Sequence, residues 1–103
     1  MHSSYIIENL QGIGEGAIVL GQLLGYDDEY ERHAVLEAGL AVRGLDFANE
    51  LVSLTEEALN GFMTVQQKGG QVVDLQLVKC VEMIDERIKI FIEKEEEKNN
   101  SFE

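Results

Sequence analysis

A chain of 103 residues, 45% of them hydrophobic, supports one domain with a modest core and excludes wholesale disorder. Twenty acidic against eight basic residues leave a net charge of −12, the wrong sign for direct binding to nucleic acid or to an anionic membrane surface. A single cysteine, Cys80, rules out an internal disulfide, and "MHSSYIIENL" has neither a basic start nor a small-residue cleavage site, so a reducing, cytoplasmic setting is expected.

The charge is uneven: residues 1–67 carry −9 and residues 68–103 carry −3. Such an acidic face serves solubility, and it also suits a basic partner. No apolar run approaches the roughly 20 residues of a bilayer-spanning helix. Proline is absent, so glycines and caps supply the punctuation.

The first predicted element covers residues 4–24. Ile6, Leu10, Ile13, Ala17, Leu20 and Leu24 step by four and three, one face of a helix that Ser3 or Ser4 can cap. A second row, Ile7, Gly14, Ile18, Gly21 and Gly25, lies beside it. "GYDD" then reads as a turn, with Gly25 as the stop and Asp27 or Asp28 as the next N-cap.

From Asp28 to about Gln67 the alternation continues through Ala34, Ala38, Ala41, Leu45, Ala48, Val52, Thr55, Leu59 and Phe62. This predicts one helix of roughly 40 residues, about 60 Å long. Gly39 and Gly44 weaken it, and Ser53 with Glu56 forms a capping box that could restart it, so a break near either place is the alternative. "KGGQ" ends this element. Residues 71–97 place Leu77, Val81, Ile84, Ile88 and Phe91 on one face and predict a third helix, although "QVVDLQLVKCV" is rich in strand formers. Residues 98–103 read as a disordered acidic tail after a single helical domain over 1–97.

The chemistry is sparse. Gly12, Gly14 and Ala17 formally satisfy the dinucleotide fingerprint G-x-G-x-x-G/A, but no strand precedes them, Glu15 opposes a phosphate, and no G-K-[ST] follows. Interior glycines cost a helix about 1 kcal/mol each, and another backbone coming close would recover that cost. Gly14, Ala17, Ile18, Gly21 and Leu24 are therefore expected to mark a helix-packing or dimer interface. The alternative is two short helices interrupted at "GIGEG". His33 lies four residues from both Glu29 and Glu37, yet a di-metal carboxylate site needs two Glu-x-x-His pairs, and Tyr30 stands where the glutamate should be. Cys80, Met63, Met83, Phe47, Phe62 and Phe91 sit at core spacing. No nucleophile, base and stabiliser occur together, so no metal, other cofactor or enzymatic activity is expected.

The fold expected is all-α, a small bundle of three helices around a long central one. Helix 1 would cover one end, helix 3 the other, and a second chain the remaining apolar surface, making a homodimer. The function expected is a non-catalytic protein-interaction module (adapter, chaperone or inhibitor) with a protein partner, basic if the acids Asp27, Asp28, Glu29 and Glu31 face it. A nucleic-acid mimic blocking a basic groove is the alternative, and a small enzyme or ligand-binding protein the second.

Overall fold

A computed structural model describes residues 14–69 and 74–100. The expected cap at Ser3 or Ser4, the Ile6–Ile13 stripe, Gly12, and residues 101–103 of the expected tail lie outside the described residues.

Three helices follow one another: α1 (Glu15–Gly25), α2 (Glu29–Gln67) and α3 (Leu75–Asn100). The all-α expectation holds, with no strand among the described residues. Residues 75–81, where strand formers crowd, are helical, and the helix continues through positions 98–100.

The first helix does not run through Gly14. That residue has φ 132° and ψ −172°, outside the helical region, and serves as the N-cap of α1. The expectation of an unbroken helix over 4–24 is therefore corrected. Glu50 of α2 comes close to this turn: a Cβ on Gly14 would stand 2.9 Å from Glu50 Oε1, the flexible end of that side chain, and one on Gly16 2.8 Å from Glu50 Cγ. Glu50 thus lies over the first turn of α1, where its negative charge complements the free N–H groups. Beyond this turn α1 buries Ala17, Leu20, Leu23 and Leu24.

Helix α2 begins where the sequence indicated. Asp28 caps it, its Oδ1 accepting from the Tyr30 N–H at 2.8 Å. The bounds match the expected 28–67, but the rod is not straight. Gly44 has φ 73° and ψ −150°, a conformation essentially reserved for glycine, and divides α2 into arms 29–43 and 45–67. The arms fold back on each other. Arg32 reaches Cys80 of α3 and Glu56 reaches Lys89. These two α2 residues would stand about 36 Å apart on a straight helix, whereas Cys80 and Lys89 are about 14 Å apart along α3. Phe47 supplies a second sign of the reversal, because its ring lies 2.9 Å from where a Gly39 Cβ would be.

The first arm runs parallel to α3, since Arg32 meets Cys80 and Glu37 meets Arg87 further along. The second arm returns, and residues 68–74 lead into α3. Both arms therefore share α3, instead of α1 and α3 taking opposite ends of a rod. The expected reason for a second chain, a half-covered central helix, is absent from this geometry. Leu36, Leu40, Phe47, Ala48, Leu51 and Leu54 from α2 meet Leu77, Val81, Ile84 and Ile88 from α3 in one core.

One polar pair is buried in it. Thr55 is fully buried and its hydroxyl donates to Asp85 Oδ1 at 2.6 Å, while Asp85 Oδ2 pairs with Lys89 at 3.0 Å. Lys89 also reaches Glu56 at 3.1 Å, and these carboxylates raise its pKa, the hydrogen bond with Asp85 contributing most. Pairing keeps Asp85 from standing as a lone buried charge.

Two glycines of α2 test this architecture in opposite directions. Gly44→Ala should destabilise the fold by about 1–3 kcal/mol, because an L-residue is strained at that φ and ψ. Gly61→Ala should stabilise by up to about 1 kcal/mol: a Cβ there meets open space and the position is exposed within the second arm. Urea denaturation of both variants is the measurement, and a neutral or stabilising Gly44→Ala would contradict the reversal.

Candidate interaction cleft

A concave feature lies between the first arm of α2 and α3, with a volume of about 310 Å³. Glu29, Arg32, His33 and Leu36 line it from α2, at the i, i+3, i+4 and i+7 spacing of one helix face. From α3 come Cys80, Met83, Ile84, Glu86, Arg87 and Ile90. Leu36 and Ile84 are buried in the floor, whereas Met83 and Ile90 remain 52% and 38% exposed. The cleft is thus apolar at its base and along one wall, with charged groups around it.

Arg32 anchors one end. Its Nη2 donates to the carbonyl of Tyr26 at 2.9 Å, and its Nη1 donates to Cys80 Sγ at 3.0 Å. The guanidinium thus clasps the α1–α2 turn against α3, at the carbonyl-rich end of α1 where a cation is favoured. Arg87 anchors the other end through Glu37, with Nη2 at 2.8 Å from Oε2 and Nε on Oε1. The Nη2–Oε2 hydrogen bond is charge-assisted and so among the stronger kind, while the Nε–Oε1 contact is an ion pair without hydrogen-bond geometry. Arg32 Nε, Arg87 Nη1 and Glu37 Oε1 are buried without hydrogen-bond partners. His33 is exposed at the rim, 3.7 Å from Glu37.

The Cys80 thiol has its pKa raised: burial outweighs the opposing effect of Arg32, and Glu29 pushes the same way as burial. Such a thiol stays protonated and packs as a small apolar group. Its hydrogen bond comes from Arg32, which is a donor and cannot remove its proton. The chemistry available here is recognition: apolar contact, flanked by two arginines and two glutamates. Among the described residues, no cluster of three His, Cys, Asp or Glu is placed to hold a metal ion, and no helix is long and apolar enough to cross a membrane.

The positions singled out as an interface divide between the cap and the body of α1. Gly14 is the cap outside α1, while Ala17, Gly21 and Leu24 are buried and Ile18 is 59% exposed. Close approach to α2 occurs at Gly14, against Glu50, and at Gly16, against Glu50 and Leu54. The four acids separate by role. Asp28 caps α2 and Asp27 offers its carbonyl to Arg32 at 3.5 Å, while Glu29 lines the cleft and Glu31 is exposed. Of the residues expected in the core, Phe47 is buried and Phe62 and Phe91 are partly so, but Met63 and Met83 are exposed, a correction. The two arginines escaped sequence reasoning because their partners lie 48 and 50 residues away. Met83, Arg87 and Ile90 did carry a local signal, a four-three step along α3. No family model, curated protein or solved structure matches the chain.

The raised Cys80 pKa gives a signed pH dependence. The unfolded thiol ionises at about pH 8.5, before the native one, so the native state's advantage is complete below that value and is lost as pH rises through the native pKa. Wild-type stability should therefore fall relative to Cys80→Ala between about pH 7 and pH 10. Paired urea titrations across this range check it, and a constant difference would contradict the assignment.

Proposed function

We propose that this chain is a non-catalytic protein-interaction module that binds a basic protein partner at the acidic start of α2, beside the α2–α3 cleft. The observation that carries the reading is Tyr30. It is 80% exposed and stands between Glu29 and Glu31, with Asp27 and Asp28 just before Glu29. A large aromatic ring left in water costs hydrophobic free energy, and tyrosine is among the residues that most often anchor interfaces. The acids around it supply long-range attraction for a basic partner, and Glu29 joins them to the cleft. Met83 and Ile90 extend the apolar contact along α3.

A photo-reactive amino acid in place of Tyr30, introduced in the native cell, captures the partner, and the purified pair is then measured. The association rate should fall steeply between about 0.05 and 0.5 M salt, where the screening length drops well below 10 Å. Tyr30→Ala should weaken binding by about tenfold or more, mainly through faster dissociation. Salt-independent association would remove the acids from the mechanism. Unchanged affinity in Tyr30→Ala would remove the site.

A further inference from the structure

We infer that Gly44 is a hinge through which two copies of this chain exchange their first arms, giving a domain-swapped dimer in which α2 runs straight. Inside α2, Gly44 is the residue whose φ and ψ depart from the helical region, so the connection between the arms is a single residue long. A hinge this short invites exchange, because opening it changes one residue's backbone and leaves both arms intact. The apolar pattern permits the straight form. Leu36, Leu40, Phe47, Leu51 and Leu54, all buried, are separated by four, seven, four and three residues, the spacing of one face of a continuous helix.

Two such helices, antiparallel and crossing near Gly44, set the first arm of each copy against the second arm and α3 of the other. Helix α1 travels with its own first arm, so Gly16 meets Glu50 and Leu54 of the other copy. Arg32 likewise reaches the other copy's Cys80, and Glu37 the other copy's Arg87. The contacts across the bend are kept and only their ownership changes. The cleft becomes composite, its α2 wall from one copy and its α3 wall from the other. Residue 44 sets the balance between the two forms. Glycine tolerates the turn, and one chain closes without the freedom that pairing costs, so the wild-type chain favours the closed monomer in dilute solution. Alanine reverses the preference: it is strained at φ 73° and ψ −150°, and favoured over glycine in a straight helix. The penalty that Gly44→Ala imposes on the monomer is therefore relieved in the dimer, and the variant's stability should rise with protein concentration.

Sedimentation equilibrium of the full chain from about 10 µM to about 500 µM tests this. Gly44→Ala should dimerise at least about a hundredfold more tightly than wild type, roughly tenfold from each copy. Three glycines inserted after residue 44 of that variant free the turn and break the straight helix, and should restore the monomer. A Gly44→Ala chain that is monomeric or unfolded at every concentration overturns the inference, as does a dimer that the insertion leaves unchanged. Spin labels then identify the exchange. Gly44→Ala chains carrying Cys80→Ser and labelled at both His33→Cys and Glu57→Cys are diluted into excess unlabelled chain. The distance within one chain should be about 36 Å, as on a continuous helix. Chains labelled at one or the other position and then mixed should give roughly 15–25 Å between copies. A dimer that keeps the short distance within one chain is not exchanged, and overturns the inference. Tyr30 takes part in none of the exchanged contacts, so these outcomes leave its own test separate.

Discussion

The reversal at Gly44 is the constraint on which the rest of the molecule depends. With φ at 73° and ψ at −150°, it turns a 39-residue helical element back along itself, so both arms can lie on one 26-residue helix. A straight rod would leave most of one arm without a partner. Folded, the molecule extends 51 Å along its longest axis, less than the roughly 58 Å of an unbent α2. Groups at the bend reinforce the turn. Phe47 lies over Gly39, Arg43 stacks 5.3 Å from the centre of the Phe47 ring, and the same guanidinium pairs with Glu15 at the start of α1.

Polar contacts then fix the register that apolar packing leaves loose. Thr55 with Asp85 locks α3 to the second arm, and Glu37 with Arg87 locks it to the first. Arg32 adds the α1–α2 turn to the same helix through Tyr26 and Cys80. Buried or half-buried groups of this kind contribute little net stability when satisfied but cost several kcal/mol when one partner is removed, so they discriminate against shifted packings. The cleft results from this arrangement. Two arginine clasps hold the first arm and α3 at a fixed separation, and the side chains between them leave an apolar floor open to solvent.

Helix positions were largely legible in the sequence, because periodicity and caps are local. Asp28 capped α2 as its type and place required, and Gly69, at φ 72°, follows its end. A break near Gly44 was legible as the alternative, but the reversal was not, for a specific reason: both arms face the same core, so the four-three alternation keeps its phase across Gly44, and a glycine fits an unbroken helix as well as a turn. Gly14 misled in a related way. Its spacing matched a helical row, but its φ of 132° and ψ of −172° place it outside the helix as the cap of α1. Leu23 lay off the predicted stripe and is fully buried, since α1 is covered on more than one side. Acid-rich residues 27–31 were visible as a charge cluster, whereas the exposure of Tyr30 and Met83 followed only from knowing which faces α2 and α3 turn to each other.

Distance across the bend tests the central claim most directly. Spin labels on cysteines replacing His33 and Glu57, both exposed, in a Cys80→Ser background report the separation of the two arms by pulsed electron paramagnetic resonance. A folded-back α2 places the two backbone positions roughly 15–25 Å apart, whereas a continuous helix places them about 36 Å apart. A single short distance supports the reversal at Gly44. A distribution centred near the longer value would contradict it, and with it the shared core and the cleft.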